Sequence, residues 1–257
     1  MIRGDRELKV KLENVLNLLK SHTSIRSYES TEIPDEILKQ MINSAQHAAS
    51  SNFVQAYSII RVTDEDKIKA LAKLSKNEQQ IMSAPVVLLF CADLKRVEHA
   101  CKKNNVDLGD HNLEDFIVTV VDTAIVAQNF VVAAESQGYG ICYIGGVRNN
   151  PEEISHLVRL PDKVFPLFGM TIGVPAETQW VKPRLPVEAI LHENNYDEEK
   201  YEHIIESYDN TMATYYKERL SNTKDTHWSE TMSEFLKSPR RQHMKDFIYS
   251  KGFNLNK

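Results

Sequence analysis

The sequence predicts an α/β or α+β domain, a sheet packed around one long helix. Residues 57–62, 85–91, 141–144 and 164–174 read as strands, 85–91 as a short, almost wholly apolar run and 164–174 by alternation. Segments with helical spacing separate them. A single long, mostly apolar helical segment fills 113–137. The 257 residues suffice for one large domain, or for a domain with an appended arm.

Leu8, Leu12, Val15, Leu16 and Leu19 follow helical spacing and predict an amphipathic first helix. Residues 21–30 break that pattern with small polar side chains and Arg26. Pro34 suits the first turn of a second helix, and Asp35 and Glu36 suit its positive end. Ile37, Leu38, Met41, Ile42 and Ala45 supply its apolar stripe. After the polar break Ser50-Ser51-Asn52 come the strand at 57–62 and a charged helix over about 64–74. The run at 85–91 is almost wholly apolar, as in a strand covered on both faces. A polar helix and loop occupy 93–111. Gly138 stands just past the long helix, where a left-handed cap is expected. Beyond 141–144 come Gly145 and Gly146, then a helix with Asn150 as N-cap and Pro151 at its first position. Pro175, Pro183 and Pro186 mark an extended connection. From about Tyr196 the chain is polar and helical, too poor in apolar residues for a core of its own. Such a tail packs over the domain or onto a second subunit.

Composition narrows the function. A formal charge of -5 argues against a general nucleic-acid binder, which needs an excess of Lys and Arg. Cys91, Cys101 and Cys142 are odd in number and form no CxxC pair, which fits a reduced, cytoplasmic setting. The first residues alternate in charge and lack an apolar core, so no signal peptide is expected. Residues 116–134 tempt a membrane span, but Thr119, Asp122, Thr123, Gln128 and Asn129 interrupt them. A helix buried in protein is expected there instead. No histidine pair or His/Cys set has metal-ligand spacing, and no GxSxG elbow is present.

Two loops concentrate cationic and hydroxyl groups. His22-Thr23-Ser24-Ile25-Arg26 offers charge with several hydrogen bonds, which an anionic group needs; a solvated loop has the same composition. In Trp180-Val181-Lys182-Pro183-Arg184-Leu185-Pro186 the prolines restrict Lys182 and Arg184, lowering the ordering cost of binding an anion. A plain Pro-rich connector is the alternative. The segment 138–146 is glycine-rich but has Tyr143 where GxGxxG requires glycine, and it follows a helix rather than a strand. Gly145 and Gly146 can bring backbone N–H groups close to a flat ligand. Anion loops without a nucleophile or metal indicate chemistry carried by an organic cofactor.

In order along the chain, these pieces resemble the oxygen-insensitive NADPH nitroreductase and flavin oxidoreductase family of the nitroreductase A type. The resemblance runs through His22–Tyr28, Ile42–Ala45, Ser58–Arg61, Phe90–Asp93 and Val121–Ala124. It is strongest at Tyr143-Ile144-Gly145-Gly146-Val147-Arg148-Asn149-Asn150, Leu160-Pro161, Lys182-Pro183-Arg184-Leu185-Pro186 and His192-Glu193-Asn194. It implies an α+β nitroreductase-like fold with a central mixed or antiparallel sheet flanked by helices and a long buried core helix. Residues 1–175 would form an FMN-binding core, and 176–257 a Pro-rich connector and helical extension embracing a partner.

The resemblance further implies a homodimer with FMN at the subunit interface. FMN contacts are expected from His22, Thr23, Ser24, Ile25, Arg26, Ser50, Tyr143, Ile144, Gly145, Gly146, Lys182, Pro183 and Arg184, and NADPH contacts from Arg219 and Lys224. Two departures stand out. Thr23 replaces the family's usual basic residue, and a glutamine that meets the flavin pyrimidine aligns with Glu78, beside Gln79. The implied reaction is a ping-pong hydride transfer from NADPH through flavin N5 to nitroaromatics, quinones or similar small planar oxidants, with no catalytic side chain required. The alternatives are a flavin, disulfide or chromate-like oxidant reductase on the same fold, or a non-catalytic flavin-binding protein.

Overall fold

The computed structural model describes residues 14–109, 112–220 and 222–256. Contacts divide the chain into two compact units. One ends at Glu177 and resumes at Arg241; the other is Thr178–Arg240.

In the first unit, β1 (Tyr57–Val62), β2 (Val86–Asp93), β3 (Gly140–Ile144) and β4 (Val164–Gly173) form a sheet in the order β1-β2-β4-β3. Every neighbouring pair is antiparallel. All eight residues of β2 are buried, as its unbroken apolar run requires of a strand covered on both faces. Because side chains alternate, Val86, Leu88 and Phe90 face α2 (Asp35–Ala45) and α6 (Leu113–Ser136). Val87, Leu89 and Cys91 face α3 (Glu65–Ser75), α4 (Glu78–Ser83) and α7 (Pro151–Leu157). The β2–β4 register slips between Phe90 and Cys91, opposite Pro166. Proline has no N–H for the ladder, so an irregularity there is expected.

The long helix begins with a capping box between Asn112 and Asp115, and the chain turns beyond it at Gly138 with φ +83°. Its inner face, with Val126, Ala127, Phe130, Val131 and Ala134, lies in the core. The expected core helix is present, but it is covered on one side only. Leu113, Ile117, Val121 and Ile125, one every fourth residue, are 38–45 % exposed. The helix is apolar nearly all round, and one sheet can cover one side only. By length and composition α6 could cross a membrane, yet Thr119, Asp122 and Thr123 are buried on its inner side.

Other differences are local. Leu8 and Leu12 lie outside the described residues; residues 14–20 form a helix, α1, whose Val15, Leu16 and Leu19 are about half exposed. Asn150 precedes α7 without capping it, because its side-chain amide donates to Leu74 O at 2.6 Å instead. The six-residue α4 is too short for periodicity to reveal. Composition groups 176–257 together, whereas contacts return the last residues to the core. Phe247 and Ile248 on α10 (Met244–Ser250), with Phe253 beyond it, bury against Phe165. In the second unit, α8 (Tyr201–Glu218) and α9 (Trp228–Leu236) enclose a small cluster of Tyr208, Met212 and Tyr216, with Leu185 and Trp228 against it.

On α5 (Lys95–Lys103), Glu98 meets Lys95 at 2.5 Å and Lys163 at 3.1 Å. Hydrogen bonds from these two lysines hold its carboxyl down to about 2. A depressed carboxyl stabilises the fold above its unfolded value near 4.5, and that contribution is lost as pH falls toward 2. Glu98→Gln should therefore flatten the pH dependence of Tm across that window. Identical slopes in the two proteins would contradict this.

Candidate functional site

The loop 22–26 is built onto the free side of β3. Ser24 forms a parallel bridge with Ile141, and Ile25 N–H donates to Ile141 O at 2.9 Å. Ile25 is buried, and a Cβ at Gly140 would fall 2.5 Å from its side chain, so Ile25 can offer a ligand only backbone. Tyr28 locks the loop from below. Its hydroxyl donates to Ile25 O at 2.7 Å and lies 2.9 Å from Thr171 Oγ1, and burial pushes the phenol up. Two carboxylates finish the arrangement. Glu177 Oε1 accepts Arg26 N–H at 2.8 Å, and Glu135 Oε1, on α6, lies 2.5 Å from His22 Nδ1. Arg26 is exposed, and its Nη1 donates to Ser24 O at 3.2 Å. Thr23 is half-buried between them.

Tyr143 points outward from β3, edge-on to Phe168 at 5.1 Å. Partial burial and the Glu135 carboxylate push its phenol up to about 12, so it stays neutral. Ile144 turns into the core. The two glycines that follow play different parts. Nothing lies nearer than 3.5 Å to a Cβ placed at Gly145, whereas one at Gly146 would meet Ser75 O at 2.1 Å and Asn77 Oδ1 at 2.2 Å. Gly146 thus lets the turn between α3 and α4 close in; the opening toward a ligand is at Gly145. Asn149 and Asn150 tighten the same contact by donating to Ser75 O and Leu74 O. Glu78 and Gln79 are both exposed at the start of α4, and Ser83 near its end donates to Arg26 O at 3.5 Å. Three segments, 22–26, 75–83 and 143–146, therefore converge at one sheet edge.

Ser50 does not join them. Its loop leads into β1, the opposite edge strand, three interstrand spacings or roughly 14 Å away across the sheet. In that loop Asn52, Phe53 and Gln55 have φ of 46°, 60° and 54°. Left-handed backbone at non-glycine residues costs roughly 1–3 kcal/mol each, so other contacts must hold the loop. Ser50 Oγ accepts Gln55 N–H at 3.1 Å, and Asp122 on α6 accepts from Ser51 N–H at 2.9 Å and Ala56 N–H at 3.1 Å. Sequence reasoning missed Asp122, Glu135 and Glu177 as supports. The signal for Asp122 was available, because an acid inside an apolar helix must find partners.

In the second unit, α8 fixes the Pro-rich loop. The hydroxyls of Tyr208 and Tyr215 donate to Pro183 O at 2.8 Å and Trp180 O at 3.4 Å. Lys182 and Arg184 are exposed, and Arg184 Nη1 donates to Lys182 O at 2.5 Å. At the end of α8 the Arg219 guanidinium lies 5.1 Å over the Tyr216 ring and donates through Nη2 to Asn222 O. Its Nε is buried with no hydrogen-bond partner among the described residues. Lys224 N–H donates to Tyr216 O at 3.0 Å, which brings Lys224 to the same helix end.

The glycine geometry is testable. Gly146→Ala should cost about 1–3 kcal/mol in urea unfolding, as overpacking does, and Gly145→Ala much less. Equal losses would contradict the two roles.

Comparisons with known proteins identify the family of the chain. Residues 19–174 match the Nitroreductase family, and residues 182–256 match the Nitroreductase family, C-terminal domain. The chain is 53 % identical over 240 residues to a CR(VI) reductase of Pseudomonas sp. (strain G-1), spanning 93 % of this chain and 99 % of the relative. It is 37 % identical over 249 residues to FMN reductase (NADPH) of Bacillus subtilis (strain 168), spanning 95 % and 100 %. The solved structure of NADPH:FMN oxidoreductase from Vibrio harveyi, complexed with NAD+, superposes with a TM-score of 0.85 at 36 % identity, over 93 % of this chain and 98 % of that one. The chain belongs to the nitroreductase family.

Proposed function

We propose that this protein is an FMN-dependent NADPH oxidoreductase that reduces nitroaromatics, quinones or similar planar oxidants by two electrons. The observation that carries the proposal is the convergence of loop 22–26, Tyr143 and Gly145 at one sheet edge. The donor set fits FMN: imidazole, hydroxyl and guanidinium for a phosphate, and an unobstructed Gly145 beside a flat ring. FMN, when bound, supplies the hydride chemistry between donor and acceptor. The protein's part is to bind and orient. Glu135 takes His22 Nδ1 and leaves Nε2 for the ligand. Glu177 fixes the Arg26 backbone, and the tyrosines of α8 fix Lys182 and Arg184. A cation held beside the ring, such as Arg26, favours its uptake of negative charge.

Arg219 and Lys224 select NADPH over NADH. Two cationic side chains at one helix end suit a 2′-phosphate. The exposed apolar stripe of α6 supports a homodimer, since such a row is what a second copy covers. The remoteness of Ser50 supports the same view, with Ser50 serving the flavin of the partner copy. The three free cysteines suit a reducing, cytoplasmic compartment. A second reading concerns the acceptor alone: the 53 % identical relative bears the name of a Cr(VI) reductase, which favours a chromate-like oxyanion at the same site.

The test of the activity is optical. The purified protein, supplied with FMN, should absorb as a flavoprotein, bleach on anaerobic NADPH, and recover on adding a nitroaromatic, a quinone or chromate. Absence of bleaching sinks the proposal; the relative kcat/KM of the three oxidants ranks the acceptors. Arg219→Ala should raise the KM for NADPH roughly tenfold or more, the worth of a charge-assisted hydrogen bond, and leave that for NADH unchanged. Equal effects on both nucleotides would remove the 2′-phosphate role.

A further inference from the structure

We infer that Asp122 is a positioning residue, which shapes the loop 50–56 so that Ser50 can meet the flavin. The inference rests on the reading of Ser50 as a flavin contact. Asp122 is 1 % exposed, in the middle of the inner face of α6. Its polar neighbours on that face bond chiefly within their own helix, Thr119 Oγ1 donating to Phe116 O and Thr123 Oγ1 to Thr119 O at 2.7 Å, with Cys91 O at 3.5 Å as a second acceptor for Thr123. Asp122 instead reaches out. One oxygen accepts Ser51 N–H at 2.9 Å and the other Ala56 N–H at 3.1 Å, so one carboxylate closes both ends of the loop.

The carbonyl side of the loop is held separately. Arg96 donates to Gln55 O and Tyr57 O, each at 3.1 Å, and Asp93 N–H donates to Ala56 O at 3.0 Å. Between these clamps lie the three left-handed residues, which have no glycine to ease them. Two N–H donors on the two oxygens use the carboxylate as an acceptor on both sides. An amide cannot match that, since its NH2 would face one of the donors. Asp122 touches none of the reacting groups, so its influence passes through the loop.

The experiment compares wild type with Asp122→Asn, and with Asp122→Ser should the first variant fold poorly. Three quantities are measured: FMN affinity by fluorescence quenching, kcat with NADPH at saturating FMN, and amide hydrogen exchange over 51–56. The expected result is an FMN Kd raised about tenfold, a kcat within twofold of wild type, and faster exchange confined to the loop. A Kd within twofold of wild type overturns the inference even if the loop exchanges faster. So does a weakened Kd with unchanged exchange at 51–56, because the effect would then not pass through the loop. A wild-type chain that binds no FMN overturns the flavin reading itself and the inference with it, an outcome distinct from any difference confined to the variants.

Discussion

A 24-residue helix that is apolar on both sides is the constraint on which the rest of this molecule depends. The sheet satisfies one side of α6, burying Val126, Phe130 and Val131 against β2 and its neighbours. The outer row from Leu113 to Ile125 remains without cover within the described residues. Water opposes exposing that row, and the hydrophobic effect favours closing it against a matching surface. In our reading the second copy does so. The same helix carries Asp122 on its inner side and Glu135 near its end, so it serves both parts of the candidate site. Fold, assembly and site therefore share one element.

The site itself is held by acids rather than assembled from catalytic side chains. Glu135, Glu177 and Asp122 each fix a group that faces outward: His22, the Arg26 backbone and the Ser50 loop. A flavin enzyme needs orientation and charge from its protein more than it needs proton transfer. Rigid presentation lowers the cost of ordering these groups around a ligand. The tyrosines of α8 act on the Pro-rich loop in the same way.

The strands were legible as short segments between helical ones and α6 as a single long, mostly apolar one; β1 was expected at 57–62 and stands at Tyr57–Val62. The motifs at 22–26 and 143–146 were legible as chemistry, and the nitroreductase family followed from their order. What stayed hidden depends on pairings distant in sequence. Periodicity does not give strand order, so it could not place Ser50 and Tyr143 at opposite edges. Asn150 has the composition of an N-cap, but its partner is Leu74, far back in the chain. Gly146 reads as an opening to a ligand until the turn at Ser75 is seen against it. Three residues, Phe247, Ile248 and Phe253, anchor the C-terminal segment to the core despite its polar average.

Sedimentation velocity, followed at both protein and flavin wavelengths, tests most directly whether α6 joins two copies into one flavin site. Bound FMN should travel with a species of twice the 29.4 kDa chain mass, and dilution should release FMN as the dimer parts. Stoichiometric FMN on a stable 29.4 kDa monomer would contradict it.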